Sequence, residues 1–381
     1  MAPVGALGVA SAGPVNAEQR WNSGFGAAYI ISTNWEVFSF GRARSRVRLG
    51  QAQTERESTD LEQTQFIHKV RVASAYLNLL IASQLLSSSQ ANLERVRTIQ
   101  QSVKARTLSG LNPGVDSSLV NSEVSRAKLS VLEFVNNEQV VQQQLADLLN
   151  VSAENRVDPD TLYYSTLPQI DRVPHDIQAN PQLRFFRSRV DYASQVAEVA
   201  RKSIFPGLTV FGVYQARASG FTNSYNPETS DGYSSSYWDG VSPSRYNYVA
   251  GISLSWNLIS PLKTKQQVRA QRFVAAGFQN EYEQLDRELQ NQVVLSDQRI
   301  ENSLQTAHEA PVQYQAASEA YLQKSVLYKN GLTTIVDLQQ ALYALNRAEI
   351  DQSVAFINVW NALLMKAAAT GDFDLFINQV R

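Results

Sequence analysis

The chain has 381 residues, with 34 Lys and Arg against 35 Asp and Glu for a net charge of −1, so bulk charge gives no case for a nucleic acid or polyanionic partner. There is no cysteine, which excludes disulfides, thiolate metal sites and cysteine nucleophiles and fits an oxidising compartment. No run approaches about 18 apolar residues, which argues against a membrane-crossing helix but not against barrel strands, whose alternation gives weak hydropathy.

The first residues, Met1 to Ala6, lack a basic region and a continuous apolar core, and so do not read as a signal peptide. Residues 22–38 are rich in aromatic and β-branched side chains with partial alternation, which predicts a strand. From about Arg42 to Ser109 there is no proline, Gly50 is the single glycine, and Gln, Glu, Arg, Ala and Leu abound, as a very long helix requires. Val70, Ala73, Leu77 and Leu80, then Leu93, Val96 and Val103, fall three, four and seven apart, the spacing of a coiled-coil-like seam. At 1.5 Å per residue such a helix reaches roughly 100 Å.

The turn from Ser109 to Gly114 stops it, with Gly110 at a left-handed cap position and Pro113 just beyond. A second helix is expected over about Val115 to Leu149, then a Pro- and Asp-rich connector from Asp158-Pro159-Asp160 to Asn180-Pro181. Pro181 opens a third helix, to about Ser203, at a favoured first-turn position. Strand-like runs at Leu208 to Ala216 and Tyr248 to Trp256 flank a Gly-, Ser-, Asn- and Tyr-rich loop, 219–245. A second long helix, about Leu262 to Lys329, and a shorter one, about Thr334 to Ala369, follow. Pro311 lies inside the long one and predicts a bend, since interior proline costs about 3 kcal/mol.

The two halves repeat in one unbroken register. Trp35 and Trp256, Ser39 and Ser260, Val47 and Val268, Arg48 and Arg269, Gly110 and Gly331, Leu111 and Leu332, Asp116 and Asp337, Ala127 and Ala348, and Asn137 and Asn358 are identical pairs at a constant offset (256 − 35 = 337 − 116 = 221). A spacing kept without insertion between the Trp and the Gly argues for a rigid element of fixed length in each half.

This order of elements, and above all the run Tyr328-Lys-Asn-Gly331-Leu-Thr-Thr-Ile335-Val336-Asp337, resembles the TolC family of outer-membrane efflux ducts, whose tip sequence reads Tyr-x-x-Gly-x-x-Thr-Ile-Val-Asp. Ala75-Tyr76-Leu77-Asn78-Leu79-Leu80 is similar to the family's Ala-Tyr-x-x-Leu run, and Asn180-Pro181 to Leu208 to its linker helix and strand entry. The resemblance extends from about Arg20 to Gly371. It implies a mainly α protein with membrane β-strands: a homotrimer whose long coiled-coil-like helices form a periplasmic α-helical barrel and whose four strands per chain share a 12-stranded barrel in outer-membrane lipid. The corresponding parts would be a first strand pair (1–40), a first helical hairpin (41–150), an equatorial connector (151–180), a linker helix (181–204), a second strand pair with an extracellular loop (205–260), a second hairpin (261–370) and a tail (371–381). In the family a short helix precedes the first strand; with only Met1 to Arg20 ahead of Trp21, that helix and the signal are expected to be missing here.

Each working residue has a plain structural reading beside the functional one. Asp116 and Asp337 fall in the first turn of a helix, where a carboxylate complements the dipole; the resemblance makes Asp337 a gate residue ringing a constriction and Asp116 a closing contact with Tyr328. The family's second gate aspartate corresponds to Gln340 and its closing-network arginine to Thr333, which implies a less anionic and more weakly latched gate. Gly110, Leu111, Gly331 and Leu332 are helix caps with a hydrophobic contact, and by the resemblance also the exposed tips that receive a periplasmic adaptor protein. Trp35 and Trp256 end their strands, and Trp21 and Trp238 lie near loops; they are either ordinary buried tryptophans or a membrane-interface girdle.

Catalysis finds little support. His68, His175 and His308 are scattered without metal-ligand neighbours, Asp158 and Asp160 suit an Asx turn, and no phosphate loop or nucleophile elbow occurs. The expectation is a passive, cofactor-free exit duct of a tripartite efflux or type I secretion system, in the bacterial outer membrane and reaching into the periplasm, joined through its adaptor to an inner-membrane pump. The rival of another class is a soluble long-helix scaffold or spacer.

Overall fold

The computed structural model describes residues 25–111, 113–152, 157, 162–169, 176–226 and 231–379. Trp21, the start of the first predicted strand, Asn112, the Asp158-Pro159-Asp160 turn and His175 lie outside the described residues. The chain divides into a strand unit, formed by residues up to Arg48 with Ala197–Arg269, and a helical unit, Leu49–Val196 with Ala270–Arg381.

In the strand unit β1 (Gly26–Phe38), β2 (Gly207–Ser219) and β5 (Arg245–Ser255) form an antiparallel sheet in the order β1-β2-β5. The described part of the expected first strand pair is thus one strand of 13 residues. Trp35, Val210 and Ile252 share one register position, and Tyr29, Ala216 and Tyr246 another. A bulge between Glu36 and Phe38 ends the regular pairing, where the chain turns into the first helix. The loop predicted over 219–245 holds a small hairpin, β3 (Phe221–Asn226) with β4 (Asp231–Tyr233), and the short helix α5 (Tyr237–Val241). Their Asn-, Ser- and Tyr-rich segments are too short and too polar to show a period.

The long helices are α1 (Arg42–Leu108) and α6 (Ser260–Lys329), of 67 and 70 residues; α2 (Gly114–Leu149) and α7 (Ile335–Thr370) have 36 each. The helix α4 (Pro181–Lys202) and the short α3 (Leu162–Ser165) and α8 (Asp374–Ile377) complete the set. The predicted bounds hold to within a residue or two at each end, and α6 continues through Pro311 without interruption. Helices of this length owe their stability to the faces they bury more than to propensity.

Three apolar clusters lie in the helical unit, the smallest formed by Ala307 and Ala310 of α6 with Ala355 and Val359 of α7. Towards the turns, Leu93, Val96, Ile99 and Val103 of α1 pack with Val120 and Val124 of α2, Tyr328 of α6 and Ile335, Leu338 and Leu342 of α7. Further along, Leu77 and Leu80 of α1 meet Tyr163 of α3, Trp360, Leu363 and Leu364 of α7 and Phe376 of α8. α1 and α7 also meet through polar contacts, Arg95 with Glu349 at 2.7 Å and Gln84 with Ser353 at 3.1 Å.

One expectation needs correcting. A stretch of α1 does have the length and composition of a membrane-crossing helix. Its most apolar part carries Leu77, Leu79, Leu80 and Ala82, all buried, and Leu77 and Leu80 are covered by Trp360 and its neighbours. Of that stretch 28% is buried within the chain, and length and hydropathy alone do not separate a helix packed on its neighbours from a spanning one.

Candidate functional site

The two turns are built from their glycines outward. At Gly110 (φ +71°) and Gly331 (φ +74°) the backbone is left-handed, a conformation that disfavours a Cβ. Each closes its helix with the same pair of bonds. The Leu111 N–H reaches the Arg106 carbonyl at 2.9 Å and Gly110 N–H that of Thr107 at 3.1 Å, while Leu332 N–H reaches Leu327 at 2.9 Å and Gly331 N–H reaches Tyr328 at 3.0 Å. This is a Schellman cap, whose last residue ordinarily packs back on its own helix. Here Leu111 and Leu332 are 70% and 72% exposed.

The starts of the following helices differ. Thr334 caps α7: its hydroxyl accepts from Asp337 N–H at 3.2 Å, and the Asp337 carboxylate accepts from Thr334 N–H in return, a reciprocal capping box. The same carboxylate oxygen accepts from the hydroxyls of Thr334 at 2.7 Å and Thr333 at 2.9 Å. Those donors, Thr334 first and Thr333 next, hold the Asp337 pKa below the ordinary 3.8. At α2 the cap position is Pro113, which makes no side-chain cap bond, and Asp116 N–H reaches the Pro113 carbonyl at 3.1 Å. Gln340 is exposed about one turn beyond Asp337.

Tyr328 is buried, and Arg106, which sequence reasoning did not single out, packs against it. Arg106, in the last turn of α1, donates to the carbonyls of Tyr328 at 3.1 Å and Lys329 at 2.8 Å, with its guanidinium 5.5 Å from the Tyr328 ring centre. A basic residue in a last helical turn was the visible signal, but the carbonyls it serves belong to another helix. Also missed was a cluster joining α2 to α7. The Tyr343 hydroxyl bonds the buried carboxylate of Glu123, and Arg126 donates to that hydroxyl at 2.7 Å. Burial first, then the bond to Glu123 and its charge, push Tyr343 up to about 12.

The second candidate site is one face of the sheet. Opposed residues across strands share a face, so the register places Tyr29, Ile31 and Trp35 of β1 with Leu208, Val210 and Tyr214 of β2 and Tyr246, Tyr248, Ile252 and Leu254 of β5. Nearly all are exposed, Trp35 by 67% and Ile252 by 72%. The other face carries Ser32, Asn34 and Glu36, Thr209, Gln215 and Arg217, and Arg245, Asn247 and Ser253, together with a few apolar residues. Trp256 follows β5, exposed, its indole N–H donating to the Ile204 carbonyl at 3.0 Å. Trp238 is exposed on α5.

Among the described residues no three His, Asp or Glu are grouped to hold a metal ion; His68 and His308 lie on α1 and α6.

A family model described as outer membrane efflux protein matches residues 11–151 and 175–364. No curated protein sequence matches the chain. Solved structures do. The outer-membrane channel OprN superposes with a TM-score of 0.74 at 18% identity, over 92% of this chain and 81% of that one. The outer membrane protein VceC of Vibrio cholerae gives 0.72 at 13%, over 92% and 87%, and the CmeC outer membrane channel of Campylobacter jejuni 0.72 at 13%, over 92% and 77%. At these identities the likeness is one of fold.

Proposed function

This chain belongs to the outer membrane efflux protein family, and from that premise we propose that it is the exit duct of a tripartite efflux or type I secretion system, passive in itself and gated at its helical tips. The observation that carries the reading is the sheet with one exposed apolar face. In water an apolar patch of this extent is a liability; against lipid, with polar residues on the opposite face, it is the pattern of a transmembrane barrel. Strands of 11 and 13 residues suffice to cross the hydrocarbon core when tilted. A soluble spacer has no use for such a face.

The edges β1 and β5 bring in further copies. A strand edge in hydrocarbon leaves backbone groups unsatisfied at several kcal/mol each, so the sheet must close. Three chains with four strands each would close a 12-stranded barrel; the fourth strand this count requires per chain is not among the described residues. The helices then extend into the periplasm, where Leu111 and Leu332, uncovered at the two caps, offer apolar anchors to the helical hairpin of an adaptor, and the adaptor links the duct to an inner-membrane pump.

Gating would act at the second tip. Asp337, ionised well below neutral pH, puts a negative charge beside the turn in each copy; with Thr333 and Gln340 in place of a further arginine and aspartate, the ring would attract cations modestly. The test is purification in detergent followed by single-channel recording. Particles of about three times 42.4 kDa that pass current across a lipid bilayer are expected, and Asp337→Asn should lower cation preference. A monomer that stays in water without detergent would overturn the duct, and unchanged selectivity in Asp337→Asn would overturn the gate.

A further inference from the structure

Charge is unevenly spread over the polar face of the sheet. Glu36 lies near the end from which β1 leads into α1, α4 into β2 and β5 into α6, in register with Thr209 and ion-paired with Arg42. At the opposite end, towards the 219–245 loop, Arg217 of β2 and Arg245 of β5 are directly opposed. They lie eight positions along β2 from Thr209 (217 − 209 = 8), roughly 26 Å at strand rise. Residues so paired have Cβ atoms about 5 Å apart, and like charges there work against the sheet. The third strand offers Ala28 in register with Arg217, and the polar neighbours two positions along on this face are Gln215, Ser219 and Asn247, none of them acidic. Among the described residues neither guanidinium is in an ion pair or side-chain hydrogen bond.

Two planar five-donor forks placed side by side without a carboxylate suit a carboxylate or phosphate, which each fork can grip through two parallel bonds. We propose that Arg217 and Arg245 form an oxyanion-binding step at the loop end of the lumen, so that the duct favours solutes carrying a carboxylate or phosphate there. This rests on the polar face lining the duct; three copies would bring six guanidinium groups to one level. The step lies at the opposite end of the strands from the one at which they join α1 and α6.

The test uses the full chain in neutral phosphatidylcholine bilayers, comparing wild type, Arg217→Gln/Arg245→Gln and Arg217→Lys/Arg245→Lys, with inorganic pyrophosphate as probe. Removing the charges should shift the chloride-to-potassium permeability ratio towards potassium several-fold at low salt. The shift should fade near 1 M salt, where the screening length is about 3 Å. Micromolar to millimolar pyrophosphate should reduce current through wild type and not through the glutamine variant. The lysine variant should keep the ratio but lose most of the block, because an ammonium cannot make the forked contact. Equal ratios and equal block in wild type and the glutamine variant would overturn the proposal and leave the duct standing. Block that appears only when lipopolysaccharide is added would assign the arginines to lipid headgroups and overturn it as well. If neither protein conducts, the duct reading itself falls.

Discussion

The turns at Gly110 and Gly331, equivalent positions of the two halves (331 − 110 = 221), end their helices with the same two bonds, yet the helices that follow begin differently. The cap of α7 is Thr334; its counterpart before α2 is Pro113 (334 − 113 = 221). The residue gripping the end of α6 is Arg106, whose own counterpart is Leu327 (327 − 106 = 221). Backbone form is set by one glycine, so it persists wherever that glycine does. The side-chain bonds around it depend on the neighbouring helix and do not repeat.

The largest effect should fall on what the turns share. Valine at Gly110 or at Gly331 forces a β-branched side chain into the left-handed region, at about 2 kcal/mol or somewhat more. Nothing lies within 4 Å of a Cβ at Gly110, and at Gly331 the nearest atom is the flexible end of Arg106 at 3.4 Å. Both variants should therefore lower the unfolding midpoint by similar amounts at one scan rate. A drop at one turn alone would show that the caps are not equivalent.

Next comes what only one turn has. Arg106→Ala removes two bonds from a charged donor and the ring contact, about 1 to 2 kcal/mol once partial exposure is allowed for. Hydrogen exchange should quicken at Leu327–Leu332 and stay unchanged at the equivalent bonds after Arg106. Thr334→Ala should cost about 1 kcal/mol as a lost N-cap. Pro113→Ser, which creates Ser-x-x-Asp ahead of α2, should recover less than that, because proline also restricts the unfolded chain. A gain as large as the Thr334 loss would mean that the asymmetry lies in the cap residue alone.

The pH dependence of stability probes the capping box of α7 directly. The folded pKa of Asp337 is lowered, so its contribution is fully present above the unfolded value near 3.8 and is lost as pH falls from there through the folded value. Asp337→Asn should flatten the acid limb of stability over that window. An acid limb unchanged by Asp337→Asn would show that the capping box does not contribute there.

The helices and the sheet were legible because each rests on a local signal. The seam of Val70, Ala73, Leu77 and Leu80, the glycines at 110 and 331 and the proline at 181 stand in the sequence as they stand in the fold. The capping residue Asp337 was legible as a first-turn acid, though its three donors from Thr333 and Thr334 were not singled out. Strand register was not legible, and with it the placement of Trp35 and Ile252 on either side of Val210 on one uncovered face. Alternation names the two faces of a strand but not which neighbour it meets. Arg106 and Glu123 escaped for the same reason, since the partners they meet, Tyr328 and Tyr343, lie in the other half of the chain.

Tyr343 gives the smallest expected effect and the most specific one. Its counterpart is Ser122 (343 − 122 = 221), so the contact of Tyr343 with Glu123 and Arg126 joins the two halves at a point without a mirror image. Burial and the neighbouring carboxylate raise its pKa from 10.0 to about 12, so the neutral phenol is favoured in the fold. The resulting stability is fully present below pH 10 and is lost as pH rises towards 12. The difference in absorbance at the tyrosinate band between wild type and Tyr343→Phe, followed against pH, should therefore show one phenol titrating near 12 per chain. Arg126→Gln should raise that pKa further, because the guanidinium favours the phenolate, while Glu123→Gln should lower it by removing the charge opposed to ionisation. A difference titration near the ordinary 10.0 that ignores both substitutions would show that the three side chains do not act on one another, and that the halves are joined here by apolar packing alone.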